Sequence, residues 1–182
     1  MIRVDITRRR GVAELIPRRE VASIVMAAAE AAGAPDDATV GVILAGDAEL
    51  ARLNATHMGV DGTTDVLSFP LLPPAAYPAH EGQVPAVRVA AAGSVGFALP
   101  PGEPVHLGDI VVSVERAVEQ ADQGRGGQTG DVRWSAADEL RLLLAHGTLH
   151  LCGWDHAAPV EEAAMRRLER MILDASEVSA AR

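Results

Sequence analysis

The chain has 182 residues, 48% of them hydrophobic but only 3% aromatic, and a formal charge of −9 from 16 basic and 25 acidic side chains. Every basic residue is an arginine, and the lack of lysine excludes a P-loop, a Schiff base and a lysine general base. The one cysteine, Cys152, excludes an intrachain disulfide and fits a reducing cytoplasm, and no apolar run approaches the ~20 residues of a membrane helix.

The length predicts one domain over residues 1–182, with a core built mainly of Ala, Val, Leu and Ile. Ile2, Val4 and Ile6 alternate as a half-buried strand, and the charged N-terminus lacks the apolar run of a secretory signal. Pro17 suits a helix start; Val21, Ile24, Val25 and Ala28 recur behind it, and Gly33 closes the run. Val40, Val42 and Leu44 alternate as a second strand, and Asp47 is placed to cap a short helix carrying Leu50 and Leu53. Residues 63–70 read as a third strand that stops at Pro70. Residues 71–105 hold seven of the eleven prolines and read as a long excursion, with at most a weak strand at 87–89. Leu107 to Ser113 is the fourth strand, residues 114–123 a helix, and the glycine-rich 124–130 a flexible link. Ser135 and Asp138 resemble a capping box opening a helix whose core side carries Leu140, Leu144 and Leu151. Pro159 opens a last helix with an apolar stripe of Ala164, Leu168, Met171 and Ile172, and residues 177–182 are expected to fray. The fold class expected is α/β (α+β): a small mixed four-stranded sheet covered by about five helices, the histidine-bearing helix next to the sheet.

Three of the six histidines fall within the run from His146 to His156. His146 and His150 are one helical turn apart on one face; Gly153 ends the helix and the chain returns with His156. Three imidazoles able to meet at one point outline a catalytic zinc site with one open position. The spacing is that of a class of zinc peptidases, whose general-base glutamate follows the first histidine; here Gly147 stands in that place, which disfavours peptide hydrolysis. Cys152 falls off the metal face, so packing is its expected role. Asp155 is a candidate to orient an imidazole or to cap the turn after Gly153, and Ser68 and Asp109 are candidates for the wall of the cleft. Arginines cluster at 8–10 and 18–19 and again at Arg166, Arg167 and Arg170, either as solvated surface or as local phosphate-binding patches in an acidic chain.

The run HGTLHLCGWDH resembles the signature of the YbeY family, bacterial ribosomal RNA maturation factors described as metal-dependent endoribonucleases. Leu53-Asn54 followed by Thr64 to Pro70, and Leu107 to Ile110, agree with that family in order and spacing, so the resemblance runs from about residue 38 to 173. It implies one zinc ion held by His146, His150 and His156, and single-strand RNA cleavage in 16S rRNA 3′-end maturation and ribosome quality control. The partners it implies are small-subunit ribosomal proteins and an Era-type GTPase, in the cytoplasm and away from membranes. Met58 stands where many members carry an arginine, with His57 and Arg52 as possible substitutes, and the 71–105 excursion is longer than usual. A metal-stabilised ribosome assembly factor without catalysis is the alternative reading, and a metallopeptidase the other.

Overall fold

The computed structural model describes residues 1–80, 104–123 and 134–180, the last five as backbone alone. The elements follow as β1 (Arg3–Arg8), α1 (Arg18–Ala31), β2 (Thr39–Ala45), α2 (Asp47–Leu53), β3 (Val66–Pro70), β4 (His106–Ser113), α3 (Val114–Asp122), α4 (Ala136–Leu151) and α5 (Pro159–Ala180). The strands form one mixed sheet in the order β1-β2-β4-β3, with β1, β2 and β4 parallel and β3 antiparallel on the β4 edge. The register sets Ile6 beside Val42, Val42 beside Ile110 and Ile110 beside Ser68.

Alternation along the strands divides the sheet into two faces. Val40, Val42, Leu44, Ile110 and Val112 are buried in the main core, which they share with Val21, Ile24 and Val25 of α1 and Leu140, Leu144 and Leu149 of α4. The opposite face carries Val111 and Ala45 against Leu50 of α2, with Ile43, Leu53 and Phe69 at its border. The sequence therefore places α4 against the sheet, as expected, and α5 packs outside it through Met165 and Ile172.

The start of α4 is fixed by a full capping box: the Ser135 hydroxyl takes the Asp138 N–H at 3.2 Å, and the Asp138 carboxylate takes the Ser135 N–H at 2.9 Å. Its end is a Schellman turn. The Trp154 N–H reaches the Leu149 carbonyl, the Gly153 N–H reaches His150, and Gly153 has φ of 84°. A side chain at 153 would also meet Pro74, so two constraints select glycine there.

Several expectations are corrected. Asp47 is the first residue of α2, not its cap. Its N–H is taken by Glu115 of α3, and its carboxylate binds the Ser113 hydroxyl and the Arg116 guanidinium. The third strand begins at Val66, because the Asp65 carboxylate is turned onto the Val66 N–H and onto Gln120 of α3. Met171 is 67% exposed, and Met165, six residues earlier and 1% exposed, is the methionine of α5 that lies in the core. The backbone of α5 stays helical to Ala180 where fraying was expected. Residues 71–80, read as the start of an irregular excursion, form a docked segment instead. A 3-10 turn at Pro74–Ala76 presents Tyr77 to the core, with its hydroxyl on the Leu151 carbonyl at 3.4 Å. The strand considered at 87–89 and the link at 124–130 lie outside the described residues.

Candidate metal centre

Helix α4 and the turn after it bring three rings together. The centroids of His146 and His150 are 4.5 Å apart, those of His150 and His156 5.0 Å, and those of His146 and His156 5.3 Å. One nitrogen from each ring can be chosen so that all three lie within 4.8 Å of one another, an arrangement that could hold a metal ion. The pair one turn apart follows from the 3.6-residue period, and His156 is returned by the Schellman turn.

Hydrogen bonds on the far side of two rings fix their tautomers. His150 Nδ1 lies 2.9 Å from the Trp154 carbonyl oxygen, which can only accept, so Nδ1 carries the proton. His146 Nδ1 lies 2.7 Å from Oε1 of Glu169, a side chain of α5 that is 10% exposed. That carboxylate likewise accepts. In the neutral rings both Nε2 atoms are then bare lone pairs, yet they face each other at 3.1 Å. Two acceptors in that position repel unless a positive charge lies between them, either a shared proton or a metal ion. Two nitrogens bound to one tetrahedral zinc at ordinary bond lengths stand about 3.3 Å apart. The donor set therefore fits such an ion.

The electrostatics point the same way. Burial pushes His150 down to about 4, the neighbouring His146 and His156 add to the shift, and the Trp154 carbonyl and Asp155 oppose it. His150 is thus neutral, with Nε2 free to ligate, throughout the ordinary pH range.

Gly147 is explained by packing. A Cβ there would lie 2.7 Å from Val66 Cγ2, with Ile110 also in contact, and the Ser68 hydroxyl donates to the Gly147 carbonyl at 2.8 Å. Position 147 points into the sheet, so the base that a zinc peptidase carries there has no room and no path to the metal. Ser68 accordingly braces β3 to α4.

The other candidates distribute as follows. The Asp155 carboxylate takes the backbone N–H of His156 at 2.7 Å and, among the described residues, bonds to no imidazole; Glu169 and the Trp154 carbonyl do the orienting. Asp109 alternates with Ile110 and so lies on the sheet face turned away from α4, 3.5 Å from His106. It is not brought to the cluster. Cys152 is 1% exposed, with its thiol pushed up to about 12 by burial, and it packs as expected. Met58 ends a π turn at Asn54–Met58 and is 47% exposed. His57 sits edge-on to Phe69, and among the described residues neither it nor Arg52 bonds to the three histidines. Of the first arginine cluster, Arg8 pairs with Glu14, Arg9 forks onto Glu49, and Arg18 donates to the Ile6 carbonyl.

Sequence reasoning missed Glu169 and His80. The glutamate lies 23 residues from its partner on a different helix, so no local spacing marks it. His80 stacks on Trp154 at 3.7 Å and backs the turn that supplies the His150 acceptor.

A groove of about 560 Å³ opens beside the cluster, between α4 and α5, with His146 and His156 in its wall.

A family model described as Endoribonuclease YbeY matches residues 7–177. Proteins named Endoribonuclease YbeY include one from Symbiobacterium thermophilum, 39% identical over 78% of this chain and 74% of its own length. One from Salinispora tropica is 41% identical over 75% and 73%, and one from Bacillus subtilis 33% identical over 86% and 84%. A solution structure of a Thermotoga maritima protein superposes with a TM-score of 0.52 at 21% identity, covering 98% of this chain and 93% of that one, a likeness of fold.

Proposed function

Because the chain belongs to the YbeY endoribonuclease family, we propose that it hydrolyses phosphodiester bonds in single-stranded RNA at one zinc ion held by His146, His150 and His156. The observation that carries this reading is the pair of bare Nε2 atoms facing each other at 3.1 Å, each ring locked from behind by an acceptor. When bound, such an ion supplies charge stabilisation at a phosphoryl oxygen and acidifies water. The chain's own residues prepare that chemistry. Glu169 and the Trp154 carbonyl hold two imidazoles in the Nδ1–H tautomer, and the burial of His150 keeps it unprotonated. Ser68 and Gly147 seat α4 tightly against β3, so the ligand-bearing helix is a rigid support.

The same reading takes 16S rRNA 3′-end maturation and ribosome quality control as the task. Small-subunit ribosomal proteins and an Era-type GTPase are its partners, and the cytoplasm its location. Among the described residues no helix is long and apolar enough to cross a membrane. A metallopeptidase is disfavoured because position 147 faces the sheet.

The test is cleavage of a single-stranded RNA by purified wild type beside His150→Ala, with metal content measured for wild type and His156→Ala. One zinc per chain and cleavage that disappears with His150 are expected. Equal cleavage by both proteins would favour an assembly factor contaminated by another ribonuclease, and casein cleavage with RNA left intact would favour the peptidase.

A further inference from the structure

The groove beside the histidines is built from two facing helical stripes. On α4 the lining positions are 139, 142, 143 and 146; on α5 they are 162, 165, 166, 169, 170 and 173. Both sets follow the three-and-four spacing of one helix face. The Glu169–His146 bond fixes how the two helices sit side by side. The groove thus starts at the histidines and runs roughly 10 Å along α4, about seven residues of helical rise.

Its floor is apolar, from Leu143 and Met165 to Leu173, with the Trp134 indole at the far end. Its wall holds four carboxylates, and each is already engaged: Asp65 takes the Val66 N–H and the Gln120 amide, Glu139 takes the Trp134 N–H at 2.6 Å, Glu169 takes His146, and Glu162 takes Arg166. Arg166 and Arg170 stand one turn apart along the α5 side, both exposed. Arg166 pairs with Glu162 at 2.6 Å, with both side chains nearly half exposed, so a phosphate can compete for it. Arg170 makes no ion pair among the described residues. The volume is that of a small-molecule site.

We propose that this groove seats the nucleoside next to the cleaved phosphate, with its base on the apolar floor, and that Arg166 and Arg170 take the following phosphate. The inference deepens the proposed function and rests on it. Flat apolar faces suit the floor, and the backbone charge suits the two guanidiniums, which are planar forks for phosphate oxygens. A base can enter only if it is unstacked, so the groove itself selects single strands over duplexes.

The test uses the metal-loaded protein and a short 2′-O-methyl RNA that cannot be cut, with binding read by fluorescence anisotropy. Leu173→Trp fills the groove, and Arg170→Glu reverses the charge at its lip without touching the core. Each is expected to weaken binding tenfold or more while metal content stays at wild-type level, and Arg19→Glu on α1 is expected to change it less than twofold. In a Trp154→Phe background, the oligonucleotide is expected to quench the Trp134 emission. Binding within twofold of wild type in either folded groove variant overturns the inference. If RNA is bound in this groove-dependent way but never cut, the catalytic reading fails and the groove stands. If RNA is cut and both variants bind as wild type does, the groove fails alone.

Discussion

Glu169 shows how one side chain sets the chemistry of another. Its carboxylate takes the Nδ1 proton of His146 and so leaves Nε2 bare on the side of His150. Losing such a partner of a metal-bound histidine typically costs ten- to a hundredfold in metal affinity. Glu169→Ala is therefore expected to weaken zinc binding by about 10–100-fold, read by competition with a chromophoric chelator. Glu169→Gln, whose amide oxygen can still accept, is expected to keep most of the affinity; equal losses in the two would assign Glu169 a packing role instead. His150 gives a second outcome at this scale. Its folded pKa of about 4 lies below the ordinary 6.5, so in the metal-free protein the unfolded state binds more protons between those values. The sign follows: stability is unaffected above about pH 6.5, falls as pH drops below it, and levels off once the folded-state value is passed. Thermal melts of metal-free wild type and His150→Gln across that window should differ in slope, with the variant flatter.

Helix α4 and the turn after it were the most legible elements, because their signals are local. A capping box, a 3.6-residue apolar stripe and a helix-ending glycine lie within twenty residues; the first and last report backbone hydrogen bonds that the chain makes with itself, and the stripe reports the face it buries. The sheet was legible from alternation, though its order was not, since nothing in β3 says that it pairs antiparallel with β4. What failed was decided by distant partners. Asp47 looked like a cap until Glu115 of α3 took its N–H, and residues 71–80 looked irregular because their anchors are Leu151, Gly153 and Trp154. Gly147 belongs between these cases: its identity was visible, but the reason for it lies in β3. Gly147→Glu is accordingly expected to destabilise the protein by roughly 1–3 kcal/mol or more, the usual cost of overfilling a packed interface, and to generate no peptidase. Urea denaturation of the two proteins measures this, and a variant as stable as wild type would show that α4 can lift from the sheet.

At the scale of the molecule, among the described residues, α4 touches everything the site needs. One side rests on the sheet, another meets α1, and a third is joined to α5 by Glu169. The proposed ion would add a further link, from α4 to the turn at 152–158, because His156 is exposed and its ring is held by no side-chain hydrogen bond among the described residues. A ligand that binds only the folded chain stabilises it by an amount set by its concentration relative to Kd, about 4 kcal/mol at a thousandfold excess. Zinc is therefore expected to raise the melting temperature of wild type progressively, and a chelator to return it to the metal-free value. His156→Ala should melt near metal-free wild type and respond weakly to zinc, since two imidazoles remain but the turn is no longer tied to them. If His156→Ala gained as much from zinc as wild type, the cation would be held by α4 alone, and the return of the chain through Gly153 would need another explanation.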